Sequence, residues 1–263
     1  MILDSLTHVT PDGRWFDTAC DASEARLLRE LDAAGVQQAV VVALAGYIPN
    51  DFVLDVCRRH PERLIPAASF NPAASASEAE AARTLRATLR GGPFRALKLH
   101  PRLNRYDPLD PRCLAVLEEI AAWDPPLPVW ICSWLRYRGG ALRKPVVDTF
   151  HELAGRFPTL PLVVAHAGGT EVLHLAEALR DCPNVLLDLS FTLHRYQESS
   201  VGADLRFLLQ TFDRRLVFGS DFPEVSIPEA VAELRRLGAG VAQEKLGNVW
   251  SANLQALLAL GER

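Results

Sequence analysis

Short apolar runs rich in valine, isoleucine and leucine alternate along the chain with segments of helical periodicity. The runs lie at the start, where the sequence reads ILD, and at 38–44, 63–70, 94–100, 128–134, 161–169, 184–190 and 215–221. Each run is nearly continuous, as strands are when both faces of a parallel sheet are buried. Eight such units in 263 residues predict a closed (β/α)8 TIM barrel. An open doubly wound sheet is the alternative, because periodicity does not distinguish a closed sheet from an open one.

The composition of the chain indicates a globular protein and gives no sign of a nucleic-acid or membrane partner. Hydrophobic residues make up 49% and charged residues 23%, as in a globular protein, and no linker or repeat divides the chain, so we expect a single domain over 1–263. The net charge of -4 gives no reason to expect a nucleic-acid or membrane partner. Five scattered cysteines without a CxxC pair, and no visible signal peptide, predict free thiols and a cytoplasmic location. The sequence leaves the oligomeric state open, a homo-oligomer included.

Polar residues stand where the predicted strands end. The set consists of His8, Lys98, His100, Cys132, His166, Asp188 and Asp221. The carboxyl ends of barrel strands converge on one mouth, where active sites are built, so we expect most of these side chains to share a pocket. Asp188 is instead interpreted as a structural hydrogen-bond acceptor.

His8 poses a particular question. Asp4, Leu6 and His8 alternate, so on a strand all three project from one face. A metal-binding strand of this kind needs a second donor, and Leu6 supplies none. From the residues alone, His8 is either a ligand or a hydrogen-bonded polar residue at a strand end.

Several phrases together resemble a known family. In chain order they are FRALKLHP, PVWICSW, LVVAHAGG, LVFGSDFP and GNVWSANLQALL. They resemble the amidohydrolase-2 branch of the amidohydrolase superfamily, the metal-dependent barrel hydrolases and decarboxylases. The resemblance runs from residue 1 to about residue 258.

The resemblance implies a metal site with fewer of the family's usual ligands. The family's Asp-x-His-x-His motif falls on Asp4 to His8, with Leu6 in place of the first histidine. At the end of the fifth strand, where the family has a metal-binding histidine, this sequence has Cys132. His8, Cys132 and Asp221 are then the implied ligands of a divalent metal, with zinc favoured because thiolate is a good zinc ligand. Since two expected ligands are changed, a metal-free site stays open.

The resemblance and the residues agree on the catalytic groups. The HxGG histidine of the family, which polarises the substrate or moves protons, matches His166, and its strand-eight proton acceptor matches Asp221. These two form an acid/base pair with or without a metal. Lys98 ends a buried strand, and we expect it to pair with Asp4, Asp221 or an anionic substrate, or to act as a base or nucleophile.

The predicted substrate is a small molecule with an acidic group. Residues 136–144 follow the fifth strand and carry four cations, of which Arg136 and Arg138 are candidate carboxylate contacts. Trp134 is a candidate stacking surface for a planar substrate. His100 and His194 complete the predicted substrate-binding set.

Three functions are compatible with these residues. The favoured one is hydrolysis of a C–N or C–O bond, or non-oxidative decarboxylation, with a reduced metal site. The alternatives are a metal-free acid/base enzyme of isomerase or cyclase type and a non-catalytic small-molecule binder. The presence of both His166 and Asp221 argues against a binder, which has little need of both.

Overall fold

The computed structural model describes residues 1–134 and 144–259, and eight parallel strands run through this part of the chain. The strands are β1 (Leu3–Thr7), β2 (Gln38–Val42), β3 (Leu64–Phe70), β4 (Ala96–Leu99), β5 (Val129–Cys132), β6 (Leu162–Ala165), β7 (Val185–Asp188) and β8 (Leu216–Val217). Each strand pairs with the next one along the chain, so every connection crosses over to a parallel neighbour.

The sheet closes between β1 and the segment that follows β8. The amide of Ser5 donates to the Phe218 carbonyl at 2.9 Å, and the amide of Asp221 donates to the Leu6 carbonyl at 3.1 Å. The predicted (β/α)8 TIM barrel is therefore confirmed, and the open sheet is excluded. The single domain over 1–263 stays a prediction, because 135–143 and 260–263 lie outside the described residues.

Helices cover the outside of the barrel, and side chains set several of their ends. Ser23 begins the first helix by accepting a hydrogen bond from the Arg26 amide, and Gly35 ends it in a left-handed conformation with φ 68°. The helices are α1 (Glu24–Ala34), α2 (Asn50–Arg59), α3 (Glu78–Arg90), α4 (Pro101–Asn104), α5 (Pro111–Ala121), α6 (Val146–Arg156), α7 (Val172–Ala178), α8 (Thr192–Arg195), α9 (Ser200–Thr211), α10 (Ile227–Leu237), α11 (Gln243–Gly247) and α12 (Asn253–Leu258).

The interior of the barrel is apolar beneath its carboxyl end. Its side chains form one cluster that includes Leu3, Leu6, Val40, Val42, Ile65, Ala67, Ala96, Trp130, Val163, Ala165 and Val217, with Leu254 and Leu258 of α12. Lys98 follows Ala96 by two residues on β4, so its side chain points to the same interior. A lysine thus stands above this apolar cluster.

The described helices and the cysteines bear on membrane insertion and on disulfide formation. None of the helices in the described ranges combines the length and the apolar character that crossing a bilayer requires. The five cysteines all lie in these ranges and all are free thiols, as their odd number and scattered positions predict.

Candidate active site

A cavity of about 670 Å³ lies at the carboxyl ends of the strands. Residues singled out in the sequence line it, namely His8, Lys98, His100, Cys132, Trp134, His166 and Asp221. They come from the ends of β1, β4, β5, β6 and β8, so the fold brings residues from both ends of the chain into one chamber. Barrel enzymes build their active sites at this face.

His8 is held from two sides. Its Nδ1 lies 2.8 Å from the Val42 carbonyl oxygen, and because a carbonyl only accepts, Nδ1 carries the proton and Nε2 is the acceptor. The ring stacks on Trp15 with centroids 5.3 Å apart. Burial, aided by the positive charge of Lys98, lowers the pKa of His8 from 6.5 to about 3. His8 is therefore a neutral imidazole at pH 7.

Lys98 is a buried cation at the end of β4. It is 1% exposed, and its Nζ has no hydrogen-bond partner among the described residues. The predicted pairing with Asp4 or Asp221 is wrong, since neither carboxylate bonds to it. The Oδ1 atom of Asp4 accepts instead from the amides of Leu6 at 3.1 Å and Ser220 at 2.9 Å, and its buried Oδ2 has no hydrogen-bond partner among the described residues.

His100 begins α4 and presents a second neutral imidazole. Its Nδ1 accepts a hydrogen bond from the Leu103 amide at 3.2 Å, so its proton resides on Nε2. Burial and the charge of Lys98 hold the pKa of His100 well below 6.5. The ring therefore offers an N–H donor.

His166 directly follows β6. Its Nδ1 lies 3.1 Å from the hydroxyl oxygen and 3.3 Å from the carbonyl oxygen of Ser190. Because that carbonyl accepts the Nδ1 proton, Nε2 is left as the basic nitrogen. Burial and the charge of Lys98 hold the pKa of His166 well below 6.5. His166 is a neutral base at physiological pH.

Asp221 follows β8 and is 8% exposed. Burial raises its pKa from 3.8 to about 7, while the charge of Lys98 acts in the opposite direction. A carboxyl group with this pKa exchanges its proton near neutral pH, which suits acid/base chemistry. A neutral imidazole and a protonatable carboxyl group thus line the same cavity.

Left-handed backbone conformations cluster at this mouth. His166 has φ 65°, Phe191 has φ 61° and Asp221 has φ 67°, each at or just beyond the end of a strand. Such conformations cost a non-glycine residue about 1–3 kcal/mol and gather at functional sites. The edge of Phe191 packs against Trp134, with ring centroids 4.5 Å apart, and so ties two of the strand ends together.

The residues predicted to bind zinc do not fit a metal ion as they are arranged. Burial raises the pKa of the Cys132 thiol above its ordinary value, so a metal ion bound there would have to displace the thiol proton. No group of three histidine, cysteine, aspartate or glutamate side chains is placed to hold a metal within 1–134 and 144–259. His8, Cys132 and Asp221 share the cavity without forming a ligand group, and the Lys98 cation beside them opposes a second positive charge.

Asp188 lies below the cavity in the structural role predicted for it. Its Oδ2 accepts from the Ser5 hydroxyl at 2.8 Å and from the Trp130 indole at 3.3 Å. Its Oδ1 accepts from the Ser190 amide at 2.7 Å. Asp188 therefore holds together β1, β5 and the segment after β7.

Other lining residues were missed in the sequence, namely Trp15, Phe16, Arg102, Arg105 and Glu224. The guanidinium of Arg102 lies 5.2 Å from the centre of the Trp134 ring, and the Trp15 indole donates to Glu224 at 2.5 Å. The arginines carried a signal, since they directly follow the KLHP phrase. The aromatic pair and Glu224 lie in loops without periodicity.

Three predicted substrate contacts are not among the described residues that line the cavity. His194 lies on α8 and does not line the cavity. Arg136 and Arg138 lie outside the described residues. Their proposed role therefore stays a prediction.

Comparisons with known proteins agree with the fold and the motifs. A family model described as Amidohydrolase matches residues 7–238. Comparison with curated proteins found no match.

Solved structures resemble the chain over nearly its whole length. An uncharacterised TIM-barrel protein of Bordetella bronchiseptica is 20% identical with a TM-score of 0.79, covering 98% of both chains. A zinc-bound amidohydrolase of Burkholderia multivorans is 16% identical with a TM-score of 0.70, covering 99% of both chains. The 5-carboxyvanillate decarboxylase of Novosphingobium aromaticivorans, with manganese and 4-hydroxy-3-methoxy-5-nitrobenzoic acid, is 12% identical with a TM-score of 0.72, covering 99% of this chain and 96% of that one. At these identities the likeness shows the fold.

Proposed function

The chain belongs to the amidohydrolase family, and on that premise we propose that it hydrolyses a C–N or C–O bond, or removes a carboxyl group without oxidation, in a small molecule with an acidic group. Members of the family are hydrolases and decarboxylases, so the chain is an enzyme of this type rather than a non-catalytic binder. The observation that carries the proposal is the meeting of His166, Asp221 and Lys98 in one cavity.

In the hydrolytic form, His166 and Asp221 divide the proton transfers. The basic Nε2 of His166 takes a proton from water as the oxygen attacks the substrate carbonyl. Asp221 in its acid form gives a proton to the departing nitrogen or oxygen, which its pKa of about 7 permits near neutral pH. Lys98 opposes the negative charge that develops on the carbonyl oxygen.

The decarboxylating form assigns new roles to two of these groups, Asp221 and Lys98. The bond to the carboxyl carbon breaks, CO2 leaves, and the electron pair stays on the substrate carbon. Asp221 in its acid form then supplies the proton that this carbon takes up. Lys98 stabilises the anionic charge that the substrate carries before the proton arrives.

Recognition of an acidic substrate is supported by the charges and rings at the mouth. Arg102 and Arg105 bring guanidinium groups to the cavity, His100 offers an N–H, and Trp134 offers a flat apolar surface. We propose Trp134 and His100 as substrate contacts on this basis. Arg136, Arg138 and His194 remain proposed contacts on the sequence alone.

A metal-dependent form of the same activity is the alternative. Zinc and manganese in two structural neighbours favour it, and so does the orientation of His8, whose Nε2 is not engaged by the Val42 carbonyl. His8, Cys132 and Asp221 are the ligands proposed for this form. The present arrangement of these residues argues against it.

Turnover of a panel of small acids tests the proposal. The panel contains amides, lactones and aromatic carboxylic acids, and reactions run in H2¹⁸O and in D2O separate the two activities. Hydrolysis places ¹⁸O in the product acid, whereas decarboxylation releases CO2 and places deuterium on carbon. His166→Gln and Asp221→Asn should each lower kcat by about 10²-fold or more. Asp181→Asn, an exposed change outside the cavity, should leave kcat unchanged. Turnover that survives both site variants would contradict the assignment.

A further inference from the structure

Lys98 carries a buried charge without a partner among the described residues. Its ammonium group is enclosed by the barrel, lines the cavity, and finds no hydrogen-bond acceptor among the described side chains and backbone. An ammonium group has three N–H donors, and leaving them unsatisfied away from water costs several kcal/mol. A lysine kept in such a place indicates that the missing acceptor arrives from outside the protein.

The ammonium is also central to the site. Its positive charge reaches four groups that come from four different strand ends. It adds to the effect of burial in lowering the pKa values of His8, His100 and His166, and it opposes the effect of burial, which raises the pKa of Asp221. The three imidazoles are neutral, so none of them competes with the lysine as a cation. The charge that a ligand meets on the floor of the cavity is therefore that of Lys98.

The balance of charge on the lining residues points to an anion. Lys98, Arg102 and Arg105 are cationic, whereas Asp221 and Glu224 are the carboxyl groups among the residues that line the cavity. Glu224 accepts a hydrogen bond from Trp15. Asp188, below the cavity, also interacts with the Lys98 charge, but hydrogen bonds engage both of its carboxylate oxygens. The cationic side chains on the lining thus outnumber the carboxyl groups, and a ligand with an acidic group complements them.

We infer that the Lys98 ammonium is the cationic centre of this cavity and that it binds the substrate's carboxylate directly, without a divalent metal ion. The inference rests on the proposed function and names the group that its acidic substrate meets. A carboxylate satisfies the N–H donors of the lysine through charge-assisted hydrogen bonds. A metal ion leaves them unsatisfied and adds a repelling charge beside them.

Binding of a carboxylate and its neutral isostere tests this inference without turnover. Calorimetry compares benzoate with benzamide, which share a planar ring that fits beside Trp134 and Phe191. Wild-type protein should prefer benzoate, and Lys98→Met should weaken benzoate binding by about 10- to 100-fold while leaving benzamide unchanged. Lys98→Arg should keep the preference, and so should Lys245→Met, which removes a lysine outside the cavity. No preference in the wild-type protein, or an unchanged preference in Lys98→Met, overturns the inference.

A second readout needs no variant. The chain contains three lysines, Lys98, Lys144 and Lys245, so ¹³C-labelled lysine gives a simple spectrum. Benzoate should shift one side-chain resonance, that of the buried Lys98, and benzamide should not. Wild-type protein exposed to zinc or manganese chloride and then washed should retain well under one equivalent of metal. A stoichiometric metal ion in this wild-type sample overturns the inference. Carboxylate binding without turnover of any acid in the panel would sink the proposed function and leave this inference standing.

Discussion

The Nδ1 atom of His166 and the hydroxyl oxygen of Ser190 lie 3.1 Å apart and join the ends of two adjacent strands. The Ser190 amide bonds in turn to Asp188, so the histidine is oriented by a chain of buried contacts rather than by one neighbour. This arrangement keeps the proton on Nδ1 and the lone pair on Nε2.

Ser190→Ala tests that orientation. The Ser190 carbonyl remains as an acceptor, so we expect kcat to fall by about tenfold or less, with KM unchanged. His166→Gln, which removes the base itself, should cost about 10²-fold or more. Nitrogen NMR of the imidazole supplies the independent readout. Because the carbonyl that accepts the Nδ1 proton remains, the Nδ1-protonated tautomer should stay the major form in the variant, and a minor Nε2-protonated form should appear. A single tautomer with reduced kcat would contradict the positioning role of Ser190.

Arg102→Met tests recognition of the acidic group at the rim. The guanidinium lies over Trp134, and its loss should raise KM for an acidic substrate by about tenfold but hardly change KM for the corresponding neutral amide. Arg83→Met, an exposed change on α3, is the matched control. The paired substitution Arg136→Ala and Arg138→Ala should act in the same way. Equal effects on acid and amide would show that these arginines only cover the surface.

Asp4→Asn tests the effect of a buried carboxyl group on stability. Burial raises the pKa of Asp4 from 3.8 to about 7, so the folded protein holds a proton that the unfolded chain releases. Stability from this group is present below pH 4 and is lost as the pH rises to about 7. The wild-type protein should therefore lose stability relative to Asp4→Asn as the pH rises from 4 to about 7. The difference between their free energies of unfolding should change by at most about 4 kcal/mol.

Denaturant unfolding at pH 4, 5, 6, 7 and 8 measures this difference. Asp181→Asn, with the same change at an exposed position, should track the wild-type protein at every pH. A constant difference between Asp4→Asn and wild type would mean that Asp4 is ionised throughout.

Gly169→Ala tests the strained turn after β6. Gly169 has φ 61° and ψ -117°, and an added Cβ lies 3.0 Å from the Trp134 indole nitrogen. We expect a loss of about 1–3 kcal/mol in the free energy of unfolding, together with reduced turnover because Trp134 lines the cavity. Gly155→Ala on helix α6 meets no atom within 4 Å and should instead stabilise by about 0.5–1 kcal/mol. Equal effects of the two changes would rule out strain at Gly169.

The sequence predicts which residues line the cavity, because these residues follow the periodic apolar runs that form the strands. His8, Lys98, Cys132, His166 and Asp221 each end an apolar run, and the ends of parallel strands in a barrel meet at one face. The register of a strand also decides which side chains point inward. These rules need no knowledge of the loops.

The hydrogen-bond partners of these residues could not be predicted, because they depend on the turns after the strands, and turns show no periodic pattern in the sequence. The left-handed backbone of His166 and Asp221 is uncommon outside glycine, even for histidine and aspartate, and nothing in the sequence marks it at these two positions. The turn before Asp221 places the Ser220 amide on Asp4, and neither Asp4 nor Asp221 bonds to Lys98. His194 lies on the short helix α8 and is not among the residues that line the cavity, so its contact with the substrate stays a prediction.

A crystal structure of the protein grown with zinc chloride and benzoate distinguishes a site centred on Lys98 from one centred on a metal ion. We expect a carboxylate oxygen within about 2.7–3.2 Å of the Lys98 Nζ, with the basic nitrogen of His166 facing the same ligand. We also expect no metal ion in the cavity. A zinc ion bound by His8, Cys132 and Asp221, with the Lys98 ammonium turned away from the ligand, would contradict both expectations.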